Sequence, residues 1–180
     1  MNYITIYRNK ELINERSSMK EGVKSWDKLL LSLSALVYLM IIILAGLDSG
    51  RFHWTQQSFN WSTFISGAVL MIVGQIIFLT ARCQNSFFSS VVRIQEERGH
   101  TVCQNGLYKI VRHPGYLGMI ISLSGLPLIT ISSWSIIPTL GAIILLVVRT
   151  YLEDKTLLRE LNGYAEYSGN TPYKLIPLVW

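Results

Sequence analysis

At 180 residues the chain has the length of one domain, yet half of it is apolar and only 15% is charged, a balance too greasy for an ordinary soluble domain and suited to a membrane protein. The net charge of +5 does not point to nucleic acid, because the bases gather in particular segments, and in a membrane chain that pattern first encodes orientation. Two cysteines, Cys83 and Cys103, make no disulfide framework and fall in a segment expected in the reducing cytoplasm.

Met1 to Lys28 is polar, with six bases (Arg8, Lys10, Arg16, Lys20, Lys24, Lys28) and four acids. It has no short apolar run before a small-residue cleavage site, so no secretory signal is expected there. It reads as a solvated or interfacial tail, 1–28, ahead of a single membrane domain, 29–180, with Trp26 anchoring the mouth of the first span. Leu29 to Gly46 is 18 residues without a charge, enough for a helix to cover most of a hydrocarbon core of about 30 Å. Leu47 to Asn60 is polar and aromatic and reads as an external loop, with His53 on its surface. Trp61 to Ala81 is again uncharged and long enough to cross, and its Gln75 is expected to hydrogen-bond a neighbouring helix.

Arg82 to Pro114 is a long connector. Phe87, Phe88, Val91 and Val92 recur at helical spacing, which predicts an amphipathic helix along the interface. Gly115 to Val148 is 34 residues with no charge; one helix of that length would reach about 50 Å, so the run must turn back. Ser132, Ser133 and Trp134 mark the tip, and Pro127 and Pro138 are candidate kinks. Past Arg149 the last helix should continue to about Leu161. Asn162-Gly163 and Ser168-Gly169-Asn170 are breakers, and Thr171 to Trp180 should be extended. The spans are thus about 29–47, 60–81, 115–131 and 134–151, with a connector at 82–114 and a C-terminal helix and tail at 152–180. The six bases of the tail, five of the connector and four of the C-terminal segment, against one in the loop after the first span, place both termini in the cytoplasm. The expected fold is all-α: a polytopic bundle of about four transmembrane helices plus interfacial helices, with a pocket on the cytoplasmic side.

Polar clusters converge on that side. Gly99 to Tyr116 packs His100, His113, three glycines, two tyrosines and a proline between greasy runs. The histidines admit three readings: a metal site, though the spacing to Cys103 or Cys83 matches no common zinc pattern; structural hydrogen bonding; or a cradle for a cofactor. For a cradle, Pro114 suits a first helical turn whose free amides attract anionic groups, the glycine-rich context lets backbone approach a ligand closely, and the Tyr108 and Tyr116 faces suit a cation such as a sulfonium. No glycine-rich dinucleotide fingerprint or P-loop is present. Arg149 and Glu153, four apart, share a helix face and admit either an intrahelical ion pair with snorkelling or a ligand-holding role.

Gly99-His100-x-Val102, Gly106-x-Tyr108, Val111-Arg112-His113-Pro114-x-Tyr116-x-Gly118, Arg149-x-x-x-Glu153-Asp154, Tyr164-x-x-Tyr167 and Pro172-Tyr173-x-x-x-Pro177 together resemble the isoprenylcysteine carboxyl methyltransferases and their phospholipid methyltransferase relatives, over roughly Arg82 to the C-terminus. The resemblance implies a membrane enzyme that binds S-adenosyl-L-methionine through His100, Thr101, Val102, Cys103, Tyr108, His113, Pro114, Gly115, Tyr116 and Glu153, with no metal. Arg149 would orient a lipophilic or lipidated methyl acceptor, most simply the carboxylate of an isoprenylcysteine-like group. The alternatives are an NADPH-dependent membrane reductase of sterol-reductase type, whose nicotinamide phosphate would need several bases although few beyond Arg98 and Arg112 are spare, and a non-catalytic membrane scaffold. Oligomeric state is not legible.

Overall fold

Helices form where the chain is uncharged, because a backbone in an apolar medium has to satisfy its own hydrogen bonds. The computed structural model describes residues 22–55 and 58–180, and within them every regular element is helical. Helix α1 (Ser25–Ala45) runs on into a π-helical stretch, Gly46–Phe52; α2 is Trp61–Gln84, α3 Pro114–Ser124, α4 Leu126–Thr130, α5 Ile136–Glu160 and α6 Tyr164–Asn170. Short 3-10 turns at Glu96–Arg98 and Gly106–Lys109 punctuate the connector. The bases at Arg8, Lys10, Arg16 and Lys20 lie outside the described residues.

Three stretches, Ser25–Phe52, Trp61–Gln84 and Ile136–Glu160, are long and apolar enough to cross a membrane, and the apolar core of each is at most 33% buried within the protein. Leu36, Ile42, Ile65, Ile72, Ile137 and Ile144 all face outward, as a lipid-facing surface requires. The third predicted span is two helices. Gly125 breaks it, Pro127 occupies the first turn of α4, and Ile131 ends α4 in the left-handed region at φ 50°. Pro138 sits in the first turn of α5, where its missing N–H has no partner to lose, so the kink is at Pro127 alone.

In the bundle α5 packs against both α1 and α3, and α3 packs against α2, which also carries α4. Small residues make the α2–α3 contact close enough for backbone to touch backbone. A Cβ added at Gly74 would lie 2.4 Å from the Ser122 backbone nitrogen, and one at Gly118 2.6 Å from that of Phe78. At the far end from the connector, the predicted loop is half helical and Asp48 is buried in it. Its carboxylate accepts from Thr55 N and Oγ1 and from Ser132 Oγ, each at 2.6 Å, which fastens the first loop to the predicted hairpin tip. Gln75 is exposed on the outer face of α2 rather than turned between helices.

Two local expectations fail for identifiable reasons. Residues 87–92 form no helix, because side chains and other segments take their backbone groups. Asn85 Oδ1 accepts from Phe87 N at 2.9 Å, Ser89 Oγ from Val91 N at 3.3 Å, and Asp27 Oδ2 from Val92 N at 2.8 Å, the local competition by which Asn, Ser and Asp displace helix. The C-terminal segment is not extended throughout. Tyr173 and Lys174 carbonyls accept from Arg112 N and His113 N, each at 2.9 Å, and the chain then turns so that Leu175 N and Ile176 N both reach the Trp180 carbonyl at 2.9 Å. The Ser168–Asn170 breaker falls inside the last turn of α6.

The α2–α3 contact makes a direct prediction. Because the atoms that meet Gly74 are backbone, no rotamer change can make room, and overpacking of this kind costs about 1–3 kcal/mol. Gly74→Val should therefore lower the unfolding midpoint of the detergent-solubilised protein, whereas Gly141→Ala, whose Cβ would meet nothing closer than Val37 Cγ1 at 3.8 Å, should leave it nearly unchanged. Thermal unfolding of the two variants side by side measures the difference.

Candidate active site

The connector, the start of α3, the end of α5 and α6 enclose a cavity of about 350 Å³. Of the residues singled out in the sequence, His100, Thr101, Val102, Cys103, Tyr108, His113, Gly115, Tyr116, Arg149 and Glu153 all line it. Pro114 does not: it is buried as the first residue of α3 and sets the helix start behind the wall. The sequence motifs are scattered over more than fifty positions, and the fold draws them to one place.

The connector is held against α3 by a close approach. A Cβ at Gly115 would lie 2.7 Å from the Phe88 ring, so only glycine lets that ring seat on the helix start, where it also packs edge-on against Phe78 at 5.6 Å. Phe87 stacks on His100 at 4.5 Å, and Arg98 lies 5.3 Å from the other partner, the Phe87 ring centroid. Phe78, Phe87, Phe88, Leu31 and Met119 also face the cavity. Sequence reasoning placed the two connector aromatics on an interfacial helix and so missed them as cavity wall. The lining is mostly apolar, with Leu31, Phe78, Phe88, Val92 and Met119 from α1, α2, the connector and α3, and polar groups such as His100, Arg149 and Glu153 enter it from the connector and α5.

Behind the wall Asp154, 2% exposed, gathers four donors. Arg112 reaches it through Nε at 2.8 Å and Nη2 at 3.0 Å, Tyr164 through its hydroxyl at 2.9 Å, and His113 through Nε2 at 3.2 Å. The remaining Arg112 nitrogen, Nη1, donates to the carbonyls of Thr171 at 3.0 Å and Pro172 at 3.1 Å. Arg112 is therefore committed to structure, and Arg98 donates to Gln95 and to the Ser86 carbonyl. Neither base is spare for the phosphate that a nicotinamide dinucleotide phosphate would present, which removes the support for the reductase reading.

Arg149 and Glu153 do not pair with each other. The Tyr116 hydroxyl donates to Glu153 Oε2 at 2.5 Å. Arg149 instead donates through Nε to Asp27 Oδ1 at 2.7 Å, through Nη2 to Asp27 Oδ2 at 3.2 Å, and through Nη2 to the Ser90 carbonyl at 2.8 Å. Its guanidinium carbon lies 5.5 Å from the Tyr116 ring centroid, so one face of that ring already holds a cation. Asp27, placed in a solvated or interfacial tail by the sequence reading, is fully buried.

Protonation states in the connector follow from burial. Desolvation, reinforced by the positive charges of Arg98 and Arg93, lowers His100 to about 4, so its imidazole is neutral at neutral pH. Burial pushes the Cys103 thiol and the Tyr108 phenol up, so both keep their protons. Of the cavity-lining groups on α5, the carboxyl of Glu153 and the guanidinium of Arg149 stand one turn apart. Among the described residues there is no cluster of His, Cys, Asp and Glu able to hold a metal ion.

Comparison with known proteins agrees with this geometry. Residues 67–159, more than half of the chain, match the model of the isoprenylcysteine carboxyl methyltransferase family. The chain is 34% identical over 94 residues to the protein-S-isoprenylcysteine O-methyltransferase A of Arabidopsis thaliana, covering 49% of this chain and 41% of that protein. It is 36% identical over 62 residues to a probable protein-S-isoprenylcysteine O-methyltransferase of Oryza sativa subsp. indica, covering 34% of this chain and 32% of the rice protein. Over 148 residues it is 28% identical to the Arabidopsis enzyme B, covering 78% of this chain and 68% of that one. The match thus spans about a third of the rice relative and less than half of the first Arabidopsis one. The matched region runs from within α2 almost to the end of α5 and holds the connector, Arg149 and Glu153, and the chain belongs to the isoprenylcysteine carboxyl methyltransferase family.

Proposed function

We propose that the chain is an integral-membrane methyltransferase that passes a methyl group from S-adenosyl-L-methionine to the carboxylate of an isoprenylcysteine-like substrate. The observation that carries this reading is the convergence of the family motif residues, with Arg149 and Glu153, on one largely apolar cavity that holds a cluster of polar groups. The apolar lining suits a prenyl chain, and the polar groups suit a charged nucleoside cofactor.

The residues present fit that cofactor. A neutral His100 and its Phe87 neighbour offer a flat, uncharged surface for a purine, and Glu153 offers a countercharge for a cationic group. When bound, S-adenosyl-L-methionine supplies an electrophilic methyl group on a positively charged sulfur. Arg149 holds one oxygen of the acceptor carboxylate, leaving the other to attack. That carboxylate is ionised at neutral pH, so no general base is required, and the wall of aromatic side chains serves to orient the reactants and exclude water. An amine acceptor would first need to lose a proton. Of the two candidates for that step, His113 Nε2 is already engaged with Asp154 and Tyr164, and Glu153 already accepts from the Tyr116 hydroxyl.

We place the cavity at the cytoplasmic surface, with both termini on that side and four crossings. Arg82, Arg93, Arg98, Arg112 and Arg149 line the cavity or stand beside it, while the opposite end has Arg51, the asymmetry that the positive-inside rule reads. The α3–α4 segment would be the remaining crossing. Its 17 residues reach about 26 Å, near the lower limit for a span and within what local bilayer thinning accommodates. The partner is then a lipid-anchored small molecule or peptide presented from the bilayer.

Calorimetric titration of the protein in detergent should give saturable binding of S-adenosylhomocysteine and none of NADPH; the reverse result would sink the assignment. Glu153→Gln should weaken S-adenosylhomocysteine binding about 10–100-fold, the worth of a charge-assisted contact. Arg149→Ala should impair methyl transfer to an S-farnesylated cysteine while leaving that affinity within about twofold, and unimpaired transfer would remove its role. The depressed His100 sets a pH dependence. Below its ordinary value of 6.5 the unfolded chain takes up a proton that the folded one refuses, so stability falls as pH drops toward 4 and is fully present above 6.5. Melting curves of wild type and His100→Gln across that window should diverge, with the variant showing the flatter slope.

A further inference from the structure

Asp27 stands in the first turn of α1, fully buried, and does not line the cavity. It nevertheless decides how Arg149 meets the cavity. A guanidinium carries five N–H donors in a rigid planar fork. Asp27 takes the side-on edge of that fork, with Nε donating to Oδ1 at 2.7 Å and Nη2 to Oδ2 at 3.2 Å. The second Nη2 hydrogen goes to the Ser90 carbonyl at 2.8 Å. Three donors are thereby used, and the two hydrogens of Nη1 are the ones that neither Asp27 nor Ser90 engages. The same Asp27 oxygen that accepts from Nη2 also accepts from Val92 N at 2.8 Å, so the clamp is itself pinned to the cavity wall. Glu153 is the competitor. It lies four residues from Arg149 on the same helix, the spacing at which opposite charges pair, yet it is held by Tyr116 instead.

We propose that Asp27 is a positioning residue for the methyl acceptor: it grips the Nε/Nη2 edge of Arg149, presents Nη1 to the acceptor carboxylate, and keeps Arg149 from closing onto Glu153. The proposal rests on the reading of Arg149 as the acceptor-binding group. It goes beyond that reading by giving a catalytic orientation to a residue outside the region that matches the family, which begins at residue 67. Loss of the clamp frees the guanidinium to swing one helical turn toward Glu153, which disables both charges of the site at once.

The test uses the full chain in detergent, S-adenosyl-L-methionine and an N-acetylated S-farnesylcysteine, with Asp27→Asn, Arg149→Ala and the double variant. Asp27→Asn should lower kcat/KM for the acceptor about 10–100-fold, the worth of a hydrogen bond to a charged group. Affinity for S-adenosylhomocysteine should stay within about twofold. In the Arg149→Ala background the same substitution should add nothing. Equal losses in both backgrounds, or a parallel loss of cofactor affinity, would mean that Asp27 only holds the fold and would overturn the proposal. Intact turnover in Asp27→Asn with lost turnover in Arg149→Ala would overturn the clamp alone, whereas intact turnover in Arg149→Ala would overturn the underlying reading of Arg149. If Asp27→Asn does not fold, Asp27→Glu reports instead. It keeps the charge but lengthens the clamp by a methylene, so it should fold, bind cofactor normally and turn over more slowly; wild-type turnover would count against positioning.

Discussion

A carboxylate buried away from water is tolerable only when donors surround it, and Asp154 obeys that constraint in a way that shapes the whole connector end of the bundle. Its donors come from the start of α3, from Arg112 just before it, and from α6. Arg112 in turn gathers the carbonyls of the C-terminal segment. One acid on α5 therefore fixes where α3 begins, where α6 docks and how the last ten residues pass beneath them. Breaking such a pair by removing one partner typically costs about 3–5 kcal/mol, because the survivor is left charged and buried. His113 shows the link to function: the contact that helps satisfy Asp154 also holds one wall of the cavity in place.

The same device recurs at two other points. Asp27 joins the start of α1 to the end of α5 and to the connector, and Asp48 joins the opposite loop to the hairpin tip. Each carboxylate ties together segments distant in sequence, at an end of the bundle rather than in its middle. Between those ends the helices meet through glycines and aliphatic side chains such as Ile41, Leu123, Ala142 and Leu146. In lipid the apolar surface gains little from burial, so contact area alone specifies packing weakly; polar ties at both ends supply the missing register.

The uncharged runs announced the helices, and the 34-residue run could only be a hairpin because no single helix of that length fits a bilayer. Its tip and the break near Pro127 were legible from Ser132-Ser133-Trp134 and from proline chemistry. The cavity was legible because its residues cluster in motifs on segments that the charge pattern sends to one side. The partner of Arg149 was not. Glu153 stands at the spacing that local rules favour, while Asp27 is 122 positions away, and nothing in a single sequence ranks a distant acid above a near one. The connector misled for the opposite reason. Phe87, Phe88, Val91 and Val92 carry a helical rhythm, but Asn85, Ser89 and Asp27 capture the amides that a helix would need, and the aromatics end up facing the cavity.

The backbone-level contact between α2 and α3 has a bearing on the connector strung between them. A long irregular segment is entropically costly to order, and the cost depends on how far its ends can wander. Here the two anchor points sit on helices fused glycine to glycine, at Gly74 and Gly118 and again at Gly67 and Gly125, so their separation is fixed before any ligand arrives. With its ends held at a set distance, the connector has less loop-closure entropy to lose when it orders across the cavity.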